Sequence, residues 1–65
     1  MQETHRLTSS AIPYVAYDPG TEVLSVTFSS GQSYDHPGVP RDIFEGLVSA
    51  ASPGRFYHDF IRGQY

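Results

Sequence analysis

The sequence lacks cysteine and lysine, and it contains no long hydrophobic run. A chain without cysteine forms neither disulfides nor thiolate zinc sites, and it fits a reducing compartment. The longest apolar-rich stretch, residues 12–17, is interrupted by Pro13 and is far too short to cross a bilayer. Residues 1–6 have no apolar run after a basic start, so we expect no signal peptide, no membrane association and a cytoplasmic location.

The charge balance is acidic. Four arginines stand against seven acidic residues, which gives a formal net charge of −3 at pH 7. Domains that bind nucleic acid mainly through phosphates are usually basic, so this balance disfavours non-specific DNA binding. Arg55 and Arg62 lie close together in the chain and leave a local basic patch open.

The chain is small but rich in aromatic residues. Its 65 residues allow one domain with one core, and such a domain buries only about 60% of its unfolded surface. Five tyrosines and four phenylalanines supply large side chains for that core. We therefore expect either an idealised core or association with a partner, and composition does not predict an oligomeric state.

Three segments predict strands joined by short turns. Residues 14–17 are rich in β-formers, residues 23–28 alternate between apolar and polar, and residues 32–36 alternate again. Residues 1–8 show no periodicity and predict a flexible N-terminal arm. Residues 9–65 then form a single domain.

Two helices are predicted after the strands. Pro40 is expected at the first helical position, and an apolar stripe at spacings of three or four runs from Val39 through Leu47. Ser52 is expected to cap a second helix that begins at Pro53. The order β-β-β-α-α predicts an α+β fold, a three-stranded antiparallel β-meander followed by two short helices packed on one sheet face.

The same periodicities predict which side chains are buried. Val26 and Phe28 are expected to pack against Ile43 and Leu47. The second helix is expected to dock through its apolar side chains, namely Phe56, Phe60 and Ile61.

No catalytic or metal-binding pattern is present. The serines Ser9, Ser10 and Ser52 lie outside any Gly-x-Ser-x-Gly motif, and the glycines are too scattered for a phosphate-binding loop. Asp35 and His36 are neighbours on a strand and point to opposite faces. Because ligand spacings are missing as well, we predict no enzyme activity, no metal site and no cofactor.

Two groups of residues are candidates for binding. Tyr34 and His36 share one face of the third predicted strand, where aromatic rings either stack on bases or belong to the helix-covered core. In the second helix, Arg55, His58 and Arg62 share one face, at spacings of three and four.

Aromatic side chains accompany this basic face. Tyr57 lies beside it, with its ring expected to pack and its hydroxyl to face water, and Tyr65 is placed to fold back. Basic groups interleaved with aromatics bind RNA or an acidic protein surface. The structural alternative is that Arg62 pairs with Asp59 or Asp42 and that the aromatics are core.

An ordered set of short motifs resembles the KTSC domain, from about Ser9 to Tyr65. In chain order the motifs are Ser9-Ser10-x-Ile12, the Tyr17-Asp18 turn, Leu24-x-Val26-x-Phe28-x-x-Gly31, Tyr34-x-His36-x-x-Val39-Pro40, Leu47, Ala51-Ser52-x-Gly54, Phe56 and Ile61-Arg62-x-x-Tyr65.

The resemblance implies a function as well as a fold. KTSC domains occur at the C-terminus of some lysyl-tRNA synthetases and as small stand-alone bacterial proteins, which implies a non-enzymatic accessory module that binds RNA such as tRNA. The central Tyr-x-Tyr of the family corresponds to Tyr34-Asp35-His36, so a histidine replaces the second tyrosine here. The alternative function is a protein–protein interaction or assembly module.

Overall fold

A computed structural model describes residues 2–65 as four strands and a helical C-terminal half. The strands form one antiparallel sheet in the order β1-β2-β3-β4. The elements are β1 (Glu3–Arg6), β2 (Tyr14–Asp18), β3 (Val23–Thr27), β4 (Ser33–His36), the helices α1 (Arg41–Ser49) and α2 (Pro53–Phe56), and a π-helical segment (Tyr57–Ile61) that continues α2.

The α+β class and the antiparallel meander are confirmed, but the predicted number of three strands is wrong. The additional strand is β1, in a region predicted as a flexible arm, and Glu3 pairs with Tyr17 across the sheet. The strand has no apolar alternation because it lies at the sheet edge with most of its side chains exposed. Arg41 fixes its start by a bidentate ion pair with Glu3, at 2.7 and 2.9 Å.

Cross-strand register places the apolar side chains on one face of the sheet. Val15, Val26 and Tyr34 form one row across three strands, and Tyr17, Leu24 and His36 form the next. The buried members of these rows belong to the same core cluster as residues of the helical half. The helices therefore cover one face, as predicted. The other face carries the side chains of the residues that alternate with these along each strand.

The predicted core contacts are confirmed only in part. Val26 and Leu47 are fully buried, whereas Phe28 and Ile43 are half-buried at the edge of the core. Strand β3 ends at Thr27, one residue before Phe28, so the alternating pattern continues past the strand itself.

Local chain geometry differs from expectation at two positions. Pro40 precedes α1 as its N-cap, with extended backbone angles, and is not its first helical residue. Pro53 does begin α2, but the Ser52 side chain makes no capping hydrogen bond.

The C-terminal segment docks through a different stripe from the one predicted. Tyr57 and Ile61 are buried, whereas Phe60 is 51% exposed and contacts the Phe56 ring at a tilt of 36°, with ring centres 4.7 Å apart. Ile61 was correctly predicted as buried, but docking through Phe60 is wrong. The segment ends in a π-helical turn, which is closed by the hydrogen bond from the Arg62 N–H to the Tyr57 carbonyl.

Candidate binding cleft

A cleft of about 680 Å³ lies between the β3–β4 turn and the C-terminal helical segment. It is open to solvent on one side and is lined by residues from three parts of the chain. The lining residues are Ala11, Phe28, Ser29, Ser30, Gln32, Tyr34, Gly54, Tyr57, His58 and Arg62.

Three aromatic rings line the cleft. The Phe28 ring meets Tyr34 edge to face at 5.6 Å, and it meets Tyr57 in the same way at 5.2 Å. Such edge-to-face pairs hold each other in fixed orientations. Tyr34 remains 48% exposed, so part of its ring is available to a ligand.

The turn between β3 and β4 positions the polar side of the cleft. The Phe28 N–H donates to the Gln32 carbonyl at 2.8 Å, and Gly31, with φ 94°, closes the turn by donating to the Phe28 carbonyl. The Ser29 N–H donates to the Ala11 carbonyl and anchors the turn to the preceding loop. The Tyr34 hydroxyl then donates to the Gln32 side-chain oxygen at 2.9 Å.

Behind the cleft, His36 connects the sheet edge to the C-terminal segment. Its Nε2 lies 2.9 Å from the Tyr57 hydroxyl, and its Nδ1 lies 3.2 Å from the main-chain oxygen of Tyr65. Both contacts are satisfied when Nδ1–H donates to Tyr65 and Nε2 accepts from Tyr57. The expectation that the Tyr57 hydroxyl faces water is therefore wrong.

The Tyr57 hydroxyl remains protonated over a wide pH range. Burial raises the pKa of Tyr57, because the phenolate would lose contact with water, and the nearby Arg62 opposes that effect. The hydrogen bond between His36 and Tyr57 thus supports the aromatic wall of the cleft.

The cleft carries positive charge and no acidic lining residue. Arg62 and His58 both line it and are exposed. Within residues 2–65 no ion pair involves Arg62, so the alternative in which it pairs with Asp59 or Asp42 is not observed. Asp59 instead lies 3.6 Å from Arg55 and 3.4 Å from His58.

The structure brings four of the seven candidate residues together in the cleft, namely Tyr34, Tyr57, His58 and Arg62. His36 and Tyr65 lie behind it, while Arg55 is exposed outside it and paired with Asp59. The rings of Tyr34 and His36 are on the helix-side face of the sheet, which favours the alternative of a covered face for His36.

Sequence reasoning missed several residues that line the cleft. Phe28 was assigned to the core because it continues the alternation of β3, and Gln32 was assigned to the next strand. A phenylalanine followed by the polar turn of residues 29–32 was the available signal, since such a turn leaves the ring at the end of the sheet.

Some kinds of site and element are absent from the part of the chain that the structure describes. No group of three or more histidine or acidic side chains in residues 2–65 could hold a metal ion. Over the same residues, no helix is long and apolar enough to span a membrane.

The fold and sequence match proteins of one family. The KTSC domain family model matches residues 8–65. The structure aligns with the crystal structure of a KTSC domain protein from Yersinia pestis at a TM-score of 0.91 and 31% sequence identity, covering 98% of this chain and 90% of that one.

Curated relatives include both small proteins and part of a large enzyme. A protein from Tsukamurella paurometabola is 35% identical over 57 residues, which cover 88% of this chain and 85% of that protein. A lysine–tRNA ligase from Nostoc sp. is 39% identical over 56 residues, which cover 86% of this chain but only 10% of the ligase. The resemblance found in the sequence is thereby confirmed, and the chain belongs to the KTSC domain family.

Proposed function

We propose that this KTSC domain is a small non-enzymatic module that binds RNA in the cleft between the β3–β4 turn and the C-terminal segment. One observation carries the proposal: the exposed ring of Tyr34 and the guanidinium of Arg62 line the same cleft. Among residues 2–65, Arg62 has no ion-pair partner and no acidic side chain lines the cleft. Aromatic faces stack on bases, and arginine binds phosphate, so the pair offers both contacts that RNA needs.

The remaining lining residues suit the same ligand. The hydroxyls of Ser29 and Ser30 and the Gln32 amide supply hydrogen-bonding groups beside the rings. His58 adds a second positive charge when it is protonated. Local charge thus favours an anionic ligand although the chain has a net charge of −3.

The relatives support tRNA as the RNA to test first. A lysine–tRNA ligase from Nostoc sp. contains a segment 39% identical to this chain, and its name identifies tRNA as the substrate of that enzyme. The ligase is far longer than the segment shared with this chain, so tRNA binding by this domain is our proposal.

A second candidate function is a protein contact through Phe60. This ring is 51% exposed and contacts the half-buried ring of Phe56 at a tilt, outside the cleft. Exposed aromatic side chains are enriched at protein interfaces. The two candidates therefore use separate surfaces and can be tested with separate variants.

The test is a titration of the domain with tRNA at about 50 and 200 mM salt, with Arg62→Ala and Arg6→Ala as matched variants. Arg6→Ala removes the same charge, but Arg6 lines a smaller depression on the other sheet face, with Thr4 and Tyr14. We expect tRNA binding to weaken as the salt concentration rises. Arg62→Ala should lower the affinity for tRNA by about tenfold, and Arg6→Ala should change it little.

The outcome also separates the two candidate functions. Phe60→Ser should leave tRNA binding unchanged if the cleft is the site. Absence of binding at the lower salt concentration would contradict the RNA proposal, and self-association abolished by Phe60→Ser would then support the protein contact.

A further inference from the structure

The size of the cleft restricts what kind of RNA it can hold. Its volume of about 680 Å³ falls within the range of small-molecule sites, about 300–1,000 Å³. The principal extents of the domain are 28 × 20 × 19 Å. Domains that recognise duplex RNA by shape span about 16 base pairs, which exceeds the reach of this molecule.

The charges of the lining residues limit the number of RNA phosphates that the cleft can bind. Arg62 is the one arginine among the lining residues that the structure describes, and the Nδ1 atom of His58 lies 3.4 Å from the Asp59 carboxylate. A surface that follows a duplex neutralises many phosphates with lysine and arginine. This cleft offers one or two such contacts, and the acidic chain around it repels a longer polyanion.

The aromatic and polar groups of the cleft do not suit the stacked bases of a duplex. Tyr34 presents part of its ring to solvent, and the Gln32 amide keeps its nitrogen donors beside that ring while its oxygen accepts from the Tyr34 hydroxyl. A base can use both a ring face and an amide only after it has left its own stack, because duplex bases have both faces covered.

We infer that the cleft binds a single unstacked nucleotide of single-stranded RNA, with the base against Tyr34 and Phe28 and a phosphate at Arg62. This inference rests on the proposed function and specifies its ligand class. Stacking on Tyr34 supplies the contact with the base, and Arg62 positions the backbone. Duplex RNA lacks the unstacked base and binds weakly.

The experiment compares a single-stranded RNA of about six nucleotides with the same sequence in a blunt duplex, by fluorescence anisotropy at about 50 mM salt. We expect the single strand to bind at least roughly tenfold more tightly than the duplex. Tyr34→Leu should weaken single-strand binding by roughly tenfold through loss of stacking. Tyr14→Leu is the matched control, because Tyr14 is 40% exposed on the other face of the sheet.

The possible outcomes distinguish the inference from the function on which it rests. Duplex binding as tight as single-strand binding would overturn the inference while RNA binding itself stood. If Tyr14→Leu weakened single-strand binding as much as Tyr34→Leu, the inference would also be overturned, because the other face of the sheet would then belong to the site. If neither RNA bound, the proposed function would fail. Circular dichroism of both variants confirms that they are folded.

Discussion

At the scale of single residues, Tyr17 joins the sheet to the helical layer. Its ring stacks on Phe44 with centres 4.6 Å apart, and its hydroxyl donates to the Val39 carbonyl at 2.7 Å. Burial raises the pKa of Tyr17 above its ordinary value of 10.0, because the phenolate is desolvated. The Tyr17 hydroxyl therefore makes its full contribution to the free energy of unfolding below pH 10, and that contribution declines as the pH rises through the folded-state pKa.

We predict that Tyr17→Phe destabilises the domain by about 1–3 kcal/mol near neutral pH, since the buried Val39 carbonyl loses its hydrogen-bond donor. The variant should also lose less stability than the wild type between about pH 9 and 11. Urea unfolding at several pH values measures both effects, with exposed Tyr14→Phe as the control. If the wild type and Tyr17→Phe lost equal stability as the pH rises into the alkaline range, the role of this hydroxyl would be contradicted.

At the scale of elements, the sequence predicted β2, β3, β4 and the first helix but not the edge strand β1. β3 and α1 carry apolar residues at the spacings of their structures, and β2 is rich in β-forming residues. β1 is held by backbone pairing with β2 and by the Glu3–Arg41 ion pair, neither of which leaves an apolar pattern.

The C-terminal segment shows why only part of the cleft could be predicted. The grouping of Arg55, His58 and Arg62 on one face assumed α-helical spacing, and all three are exposed as predicted. The segment nevertheless docks through Tyr57 and Ile61, and Arg55 lies outside the cleft. The rest of the cleft wall comes from Phe28 and Gln32. These two residues are distant in sequence from the C-terminal segment, and only the fold brings them beside it.

Packing between α1 and α2 depends on the absence of a side chain at Gly46. A Cβ atom there would lie 2.7 Å from Cζ of Phe56 and 3.1 Å from its Cε2. We predict that Gly46→Ala destabilises the domain by about 1–2 kcal/mol through this overlap, in spite of the better helix propensity of alanine. The control is Ser49→Ala, at an exposed position of the same helix.

Thermal or urea unfolding of these two helix variants measures the effect. Gly46→Ala should unfold earlier than the wild type, and Ser49→Ala should stay close to it. An increase in stability for Gly46→Ala would mean that Phe56 does not pack against this position.

At the scale of the whole molecule, the two faces of the sheet differ in character. One face and the helices enclose the core and end in a cleft with aromatic, polar and cationic lining. The other face also presents an arginine and a tyrosine, Arg6 and Tyr14, which line a smaller depression of about 360 Å³. The acidic chain as a whole does not favour RNA, so the proposed RNA binding depends on which local surface combines positive charge with accessible rings.

The most direct test of the RNA site is a two-dimensional NMR titration of the ¹⁵N-labelled domain with the short single-stranded RNA. We expect amide shift changes to cluster at the cleft, at Gln32, Tyr34, His58 and Arg62, while Arg6 and Tyr14 stay unchanged. Shift changes centred on Arg6 and Tyr14, or none at RNA concentrations well above those of the protein, would contradict the assignment of the cleft as an RNA site.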